Sequence, residues 1–500
     1  MTQELAQGPT LAAGGQTLIA FVGYLAVIVG IGAYATRFSS AGVREFFVGG
    51  RTMNRFVVAL SAVVSGRSAW LLLGVTGMAY AQGPSAVWAV VGYISAEMLL
   101  FIFFAPRLRR FAERYDSVTL PDFFASRLGD PSGVLRTVLA VVILIFMVSY
   151  VSSQFVGGGK AFAASFDITP TAGILITAAI VLLYTTMGGF LAVSLTDMIQ
   201  GVVMIFALVI LPIIAISNRG GLIQVYQELS AFDATMVDPF AIAMGAAIGL
   251  VGIGLGSPGN PHILVRYMSI KDAEQLKYAA VVGTIWNVVM AWGAVFIGLV
   301  GRLYFPSVEM LPNGDTENLY PALAQLHLHP IFFGIVIASI FAAIMSTADS
   351  QLLVAASSVV RDVYEKVLAK DKEVSQRVLV TASRIVVALL VLSALLLGFA
   401  AEDLVFWLVL FAWAGLGAAI GPAALLAIYW ERCTRQGVLA GLIAGTITTF
   451  VWYLNEALKS RLYELIPAFL VGLVATIIVS LLTEPPGNAR QMTETMEGKN

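Results

Sequence analysis

The fold is decided by residues 252–261, which read GIGLGSPGNP within an apolar segment. Four of these ten residues are glycine and two are proline, so an α-helix is interrupted there. Inside a bilayer, unpaired backbone groups are tolerated only where protein encloses them or where they line a cavity. The segment therefore predicts a broken membrane helix beside an internal cavity, although glycines can also serve only to bring two helices close together.

The composition supports a polytopic membrane protein. Apolar residues make up 59% of the chain and charged residues 12%, against roughly 45–50% and 25% in soluble domains. A net charge of -1 argues against a nucleic-acid partner recognised by bulk basicity. The single Cys433 and three scattered histidines supply no disulfide framework and no metal-ligand cluster. We expect neither an enzyme nor a cofactor.

Thirteen apolar runs are long enough to cross a membrane, since about 20 helical residues span a hydrocarbon core of roughly 30 Å. Numbered as spans 1 to 13, they cover residues 14–36, 55–82, 86–104, 133–161, 171–187, 190–216, 239–258, 278–303, 330–360, 378–400, 403–430, 436–455 and 463–482. The N-terminal MTQELAQGPT carries no base, so we expect span 1 to remain in the protein and not to be cleaved as a signal peptide.

The distribution of basic residues predicts the orientation. The loops after spans 1, 3, 7, 9, 11 and 13 hold 21 Lys and Arg residues, and the loops at the other face hold three, namely Arg219, Lys459 and Arg461. Cytoplasmic loops retain Lys and Arg. We therefore expect a protein of the plasma (inner) membrane with its N-terminus outside and its C-terminus in the cytoplasm.

A second interruption, SGRS at residues 65–68, lies in span 2, five spans before the interrupted span 7. An odd offset means that spans 2 and 7 run in opposite directions, as in an inverted repeat. The predicted organisation is a first span and loop (1–54), a first repeat of spans 2–6 (55–216), a second repeat of spans 7–11 (239–430), two accessory spans (436–482) and a tail (483–500). Paired broken helices mark the binding site of a secondary transporter.

Five motifs carry a resemblance to a known family. They are FFVGGR at 46–51, LPDFF at 120–124, GGFLA at 188–192 with Thr196, Asp197 and Gln200, PHILVRYM at 261–268, and MSTADSQLL at 345–353. With these motifs the chain resembles the sodium:solute symporter family, and within it the sodium/proline symporter branch. The resemblance implies an all-α membrane protein of thirteen transmembrane helices with a five-plus-five inverted repeat, the leucine-transporter-type fold.

The resemblance also implies a sodium site as the coupling-ion site. Its ligands would be backbone carbonyls and hydroxyls at Val64, Arg67, Ala343, Ser346 and Thr347. Oxygen ligands of this kind suit a hard cation. The alternative is that Ser346 and Thr347 bond only to their own helix or to a neighbouring one, as hydroxyls in membrane helices commonly do.

The expected solute is proline or another amino-acid-like or carboxylate-bearing compound. Trp70 and Tyr150 fall where the branch has aromatic groups near its substrate, whereas Ile253 and Ser257 stand where it has Trp and Tyr. The full predicted solute site is Arg67, Ser68, Trp70, Tyr150, Ile253 and Ser257.

Asp197 falls where the family keeps a functional acid. It is either an intramembrane group that needs a partner, an ion or a proton, or a helix-end residue wet by solvent after the Gly188-Gly189 turn. Asp349 lies three residues after Ser346, so it could complete a polar stripe with Asp197.

The span-2 break departs from the branch motif, which reads roughly Ser-Asp-Met-Ser-Gly-Trp. Here Gly66 replaces the aspartate and Arg67 follows it. On the hairpin of spans 2 and 3, Arg67 lies 16 residues before Gly83 and Glu97 lies 13 after Pro84, so the two have similar depths at about 1.5 Å per residue. This predicts an ion pair, with Asp197 and Asp349 as rival partners.

Two mechanisms remain open. Either sodium still binds and Arg67 is a structural cation held by Glu97, or the guanidinium takes over the role of sodium. In the second case transport is sodium-independent or proton-coupled through Glu97, Asp197 or Asp349. A channel would need a repeated filter sequence, and a sensor would need a signalling domain, so we expect neither. The partners are the solute, sodium or protons, and the lipid bilayer; the sequence does not predict an oligomeric state.

Overall fold

The computed structural model describes residues 13–39, 42–370, 372–400 and 404–499. Within these ranges the regular structure is helical, apart from a single backbone bridge between Met53 and Ile270. The first twelve residues of the predicted N-terminal segment, and Asn500 of the tail, lie outside the described residues.

The α-helices are α1 Gly15–Ser39, α2 Val43–Val48, α3 Arg55–Ser65, α4 Thr76–Gln82, α5 Val87–Leu99, α6 Ala105–Arg114, α7 Leu120–Leu128, α8 Val134–Phe166, α9 Pro170–Asn218, α10 Leu222–Phe232, α11 Met244–Gly252, α12 Pro261–Ser269, α13 Leu276–Tyr304, α14 Leu319–His327, α15 Pro330–Ser357, α16 Gln376–Phe399, α17 Val405–Tyr429, α18 Arg435–Tyr453, α19 Glu456–Lys459, α20 Leu465–Leu481 and α21 Ala489–Glu497. Wider helical turns at Trp70–Val75, Leu100–Phe104 and Ser358–Leu368 continue α4, α5 and α15.

The positions of the predicted spans agree with these helices. In the described residues, nine helical stretches are long and apolar enough to cross a membrane, and four shorter apolar helices accompany them. Spans 5 and 6 share α9, which is kinked at Gly189, and every other predicted span overlaps one helix or consecutive helices. The predicted class, an all-α polytopic membrane protein built on a five-plus-five repeat with two broken helices, is confirmed. The number of thirteen crossings stays a prediction.

Glycines permit the turns between spans 2 and 3 and between spans 5 and 6. Gly83 has φ 69° between spans 2 and 3, and an added Cβ there would lie 3.0 Å from the Cα of Met236. Gly189 has φ 60° and ψ −167° inside α9, which divides spans 5 and 6 where the sequence predicts a turn. L-residues with side chains rarely adopt these conformations.

Span 7 is predicted to start at residue 239, whereas α11 begins at Met244. The N–H of Phe240 bonds to the side chain of Asp238 at 2.9 Å, which holds this stretch in a turn.

The bundle has two ends, which we name by the chain termini. The N-terminal face carries Gly83, Glu317 and Ser460, and the C-terminal face carries Arg51, Asp122 and α21. Among the nine long apolar helical stretches of the described residues, those that contain α15 and α17 are the most buried, with 83% of their most apolar part inside the protein. They lie against both broken helices, so these breaks are enclosed by protein.

Candidate functional site

The break in span 2 is built by four residues after α3. Helix α3 ends at Ser65, and Ser68 adopts a left-handed backbone conformation with φ 50°. The N–H of Ala69 donates to the side-chain oxygen of Gln154 at 3.0 Å, and that of Trp70 donates to the hydroxyl of Ser68 at 3.1 Å. Side chains therefore satisfy the backbone groups that the break releases, as a bilayer requires.

The break in span 7 separates α11 from α12. A tight helical turn covers Ile253–Gly259, and Asn260 is extended with φ −97° and ψ 98°. The indole N–H of Trp413 donates to the carbonyl of Ile253 at 2.8 Å, and the Asn260 amide donates to the carbonyl of Gly256 at 2.8 Å. A Cβ at Gly256 would lie 2.0 Å from the indole nitrogen, so glycine permits this contact.

The two breaks lie against each other. A Cβ at Gly66 would lie 3.1 Å from the side chain of Ile263, and the guanidinium Nε of Arg266 donates to the hydroxyl of Ser61 at 3.0 Å. Helix α12 therefore packs directly on α3. Both breaks border one shared region of the bundle.

Several oxygens of the predicted sodium cage converge there. The hydroxyl of Ser346 lies 3.4 Å from the carbonyl oxygen of Val64 and 3.1 Å from that of Ala343. The hydroxyl of Thr347 donates to the carbonyl of Ser65 at 2.9 Å, one residue beyond Val64. The carbonyl of Arg67 accepts the N–H of Leu71 at 3.1 Å, so it is engaged in the second half of the helix.

The side chain of Arg67 extends toward α5. Its guanidinium donates to Glu97, its Nε donates to the carbonyl of Val63 at 3.2 Å, and its Cζ lies 4.0 Å from the ring centroid of Tyr93. The second oxygen of Glu97 accepts the amide of Asn287 at 2.8 Å. The ion pair between Arg67 and Glu97, which was predicted from their similar depth in the membrane, is therefore present, and both side chains are buried.

Asp197 belongs to a second buried cluster. One oxygen accepts the hydroxyls of Ser61 at 2.5 Å and Ser65 at 3.3 Å, and it lies 3.3 Å from the guanidinium of Arg266. Its exposed fraction is 0%, so the interpretation as a residue wet by solvent is wrong. Its other oxygen has no hydrogen-bond partner among the described residues.

Asp349 adds a second carboxylate to this cluster. It accepts the hydroxyl of Ser350 at 3.1 Å, and that hydroxyl in turn accepts from Arg266. Asp349 also interacts electrostatically with both Asp197 and Arg266. The cluster thus holds two carboxylates and one guanidinium.

The predicted solute residues fall into two groups. Trp70 stacks on Phe406 with 5.6 Å between centroids and meets Tyr93 edge-on at 5.7 Å. Tyr150 lies beside Ser68, and its ring centroid is 6.2 Å from that of His262.

Ser257 and Ile253 form the second group on the span-7 break. The hydroxyl of Ser257 is buried and has no hydrogen-bond partner in the described part of the chain. Ile253 instead lines a cavity of about 710 Å³ that opens at the N-terminal face. Its other walls include Met78, Trp407 and Tyr463. The structure therefore connects the span-7 break, but not the Trp70 cluster, to this cavity.

The C-terminal face is closed below the breaks. The cavity there, between Pro261 and Ser350, measures about 20 Å³, too small for an organic solute. Arg136 of α8 bridges Asp122 at 2.5 Å and Asp362 at 2.9 Å. Burial raises the pKa of Asp122, but Arg136 and Arg361 outweigh burial and bring it below its ordinary value. The ion pairs tie α7 and α8 to the end of span 9.

Some site residues escaped the sequence interpretation. Arg266 stood in the PHILVRYM motif without a role, and nothing indicated Asn287 or Trp413 as partners of the breaks. A buried carboxylate needs a positive charge at the same depth in the membrane. Arg266, the arginine of that motif, was therefore the residue from which a partner of Asp197 could have been predicted.

Opposed broken helices around an enclosed site, with a cavity to one face and a seal at the other, define a secondary transporter. The family model described as the sodium:solute symporter family matches residues 46–445. The chain belongs to the sodium:solute symporter family. It is a multi-pass membrane transporter and not an enzyme.

Two relatives match nearly the whole chain. It is 38% identical over 472 residues to the osmoregulated proline transporter OpuE of Bacillus subtilis (strain 168), covering 93% of this chain and 94% of that protein. It is 36% identical over 498 residues to the sodium/proline symporter of Staphylococcus aureus (strain JH9), covering 97% and 96%.

Solved structures share the fold. A Na+-coupled sialic acid symporter in a substrate-bound outward-open state has a TM-score of 0.79 at 19% identity, covering 94% of this chain and 99% of that one. The nucleobase-cation-symport transporter Mhp1 has a TM-score of 0.58 at 13% identity, with coverage of 90% and 98%. MhsT in complex with L-phenylalanine has a TM-score of 0.53 at 15% identity, with coverage of 86% and 98%.

Proposed function

We propose that this protein uses the sodium gradient to take up a small amino-acid-like solute, with proline as the first candidate. The observation that carries the proposal is the convergence of the Val64 and Ala343 carbonyls on the Ser346 hydroxyl across two helices. A monovalent cation could take the place of these hydrogen bonds, with the same carbonyl and hydroxyl oxygens as ligands and with no charged side chain in the cage. Relatives named as proline transporters over nearly the full length support proline as the solute.

The charge around the cage favours a cation. The hydroxyl oxygen of Ser350 lies 2.6 Å from the carbonyl oxygen of Ser346 and 3.1 Å from Asp349, so the cage adjoins the Asp197–Asp349–Arg266 cluster. With both carboxylates ionised, this cluster carries one excess negative charge. A sodium ion in the cage would offset that charge at short range.

The alternative, in which Arg67 supplies the charge in place of sodium, receives less support. Its guanidinium is paired with Glu97, so the pair adds no net charge to the region. Proton coupling through Asp197 or Asp349 stays compatible with the geometry, because both keep an oxygen without a partner among the described residues. The ion dependence of solute binding separates these mechanisms.

The proposed solute site lies between the breaks, with Ser68, Trp70, Tyr150 and Ser257 as its walls and Ile253 toward the cavity. Arg67 was also predicted to bind the solute. Because its guanidinium donates to Glu97, we assign it a supporting position behind Trp70 and Tyr93. We further propose that the N-terminal face is extracellular, so the cavity of about 710 Å³ is the route by which the solute arrives.

The test is the thermal unfolding of the purified protein with proline in NaCl or in KCl of equal ionic strength. A ligand at 100 times its Kd stabilises the folded state by about 2.7 kcal/mol, which raises the melting temperature. We expect proline to raise it in NaCl and to have little effect in KCl. Equal shifts in the two salts would contradict sodium coupling. A shift with another amino acid but not with proline would change the solute and leave the coupling intact.

A further inference from the structure

A cavity of about 560 Å³ opens at the C-terminal face, away from the transport site. It lies between the end of span 3, the start of α13 and the end of α21. Its lining residues are Ile102, Phe103, Pro106, Arg107, Arg110, Ala273, Glu274, Lys277, Glu497 and Lys499. Three segments that are distant in sequence therefore build one recess.

One wall of this recess is apolar and exposed. Phe103 has an exposed fraction of 59% and Ile102 of 41%, and both precede α6 in the apolar helical stretch 70–114. In a membrane protein, exposed apolar side chains at the end of a span face the acyl chains of the lipid. This wall thus meets the bilayer where the hydrocarbon ends.

The other wall is basic. Two acids are each bridged by two bases: Glu274 by Arg110 at 2.6 Å and Lys277 at 3.8 Å, and Glu497 by Arg107 at 3.2 Å and Lys499 at 2.6 Å. Four bases against two acids leave two positive charges in excess.

Both guanidiniums are held in place by further contacts. Arg107 lies 4.7 Å from the ring centroid of Tyr429, and Arg110 donates to the carbonyl of Met496 at 3.3 Å. Lys277 and Lys499 are by contrast about 70% exposed, with side-chain exposed fractions of 70% and 69%. Because these side chains are exposed, their ammonium groups can turn from Glu274 and Glu497 toward an anion.

A second cavity at the same face differs from this recess in charge and in apolar lining. It measures about 550 Å³ and is also lined by four bases, Arg136, Lys366, Lys370 and Lys372. It has three acids, however, and its lining contains one apolar residue, Val374. The two cavities thus have similar volumes and the same number of bases. The second cavity lacks the apolar wall, and its excess positive charge is one instead of two.

We propose that the recess between α6, α13 and α21 binds an anionic glycerophospholipid. The phosphate diester would sit between Lys277 and Lys499, near Arg107 and Arg110, and the acyl chains would lie along Ile102 and Phe103. Basic groups beside an apolar membrane edge suit the phosphate and the chains of one molecule. Because Glu497 ends α21 and Lys499 follows shortly after it, such a lipid holds the C-terminal helix to the end of span 3 and the start of span 8.

The test compares lipid binding by native mass spectrometry for three full-length proteins purified in neutral detergent. They are the wild type, the double variant Lys277→Gln/Lys499→Gln, and the matched control Lys366→Gln/Lys372→Gln. Each is titrated with phosphatidylglycerol, with phosphatidylcholine, and with glycerol 3-phosphate as the free headgroup. The substitutions fall on exposed side chains, and each double variant removes two charges from the same face.

We expect the wild type to retain phosphatidylglycerol in preference to phosphatidylcholine. The Kd should rise roughly tenfold in the Lys277/Lys499 variant, which loses the charge excess, and should stay unchanged in the control. An equal loss in both variants would overturn the proposal, since it would indicate general surface attraction. Saturable binding of glycerol 3-phosphate with equal affinity would also overturn it, because the apolar wall would then contribute nothing.

Discussion

Two buried guanidinium groups flank the first half of the broken span 2, and they differ in charge balance. Within the described part of the chain, Glu97 is the only acid that forms an ion pair with Arg67, so the pair is neutral. Arg266 lies among two carboxylates, Asp197 and Asp349, so that region carries one excess negative charge when both are ionised. A balanced pair needs no further ion, whereas an excess of negative charge attracts one.

The position of the sodium cage follows this difference. Ser346 and Ser350 connect the cage to the negative cluster, and Ser65 touches that cluster through Asp197 at 3.3 Å. The side chain of Arg67 extends to the other side, toward α5. Glu97 thus neutralises Arg67 and holds its side chain on the α5 side of span 2.

The largest effect should come from Glu97→Gln. This change leaves Arg67 buried without a counter-charge, and breaking a buried pair in this way costs about 3–5 kcal/mol. We expect a large fall in the melting temperature and a weaker affinity for sodium, because the uncompensated positive charge of Arg67 then repels a cation in the cage.

The control for this change is Glu494→Gln, at an exposed ion pair with Arg490, which should change stability by less than about 1 kcal/mol. The double variant Arg67→Met/Glu97→Gln should recover most of the loss. If Glu97→Gln were as stable as the wild type, the paired state of Arg67 would be contradicted.

The next effect concerns the cage itself. Ser346→Ala removes the hydroxyl that meets the Val64 and Ala343 carbonyls, and a hydrogen bond or ligand to a charged group is worth about 1.5–3 kcal/mol. The sodium concentration for half-maximal uptake should rise by roughly tenfold to a hundredfold. Ser357→Ala, whose hydroxyl bonds to the Val354 carbonyl of the same helix, is the matched control. Equal sodium curves for both variants would remove Ser346 from the cage.

A smaller change should follow from Asp349→Asn. The substitution keeps the shape and converts the negative cluster into a balanced pair like that of Arg67 and Glu97. We expect the sodium concentration for half-maximal uptake to rise roughly fivefold, the order expected for one charge acting through protein, with folding preserved. Asp116→Asn, at a side chain with an exposed fraction of 65%, should leave uptake unchanged. An unaltered sodium dependence in Asp349→Asn would show that charge excess does not attract the cation.

The smallest effect concerns the span-7 break, which carries no charge. Trp413→Phe removes the N–H that pairs with the Ile253 carbonyl, at a cost of about 1 kcal/mol. We expect a slightly lower melting temperature and a normal sodium dependence, whereas Trp292→Phe, on the exposed surface, should be neutral. A strong shift in sodium affinity in Trp413→Phe would contradict this expectation, because it would mean that the span-7 break contributes to sodium binding.

Features that depend on residues close together in the sequence could be predicted from the sequence. The breaks follow from glycine and proline, and the Arg67–Glu97 contact follows from depth along one hairpin. The pairing of Arg266 with Asp197 joins residues 69 apart and depends on how α12 packs on α3. The same holds for Asn287 with Glu97 and for Trp413 with Ile253, which come from helices remote in sequence. The site roles of the predicted solute and cage residues stay predictions.

The central claim is that Arg67, neutralised by Glu97, does not replace sodium. Uptake of labelled proline into proteoliposomes tests it, with sodium outside and with choline in its place. The account predicts saturable accumulation in sodium and its loss in choline. Undiminished accumulation in choline would contradict it.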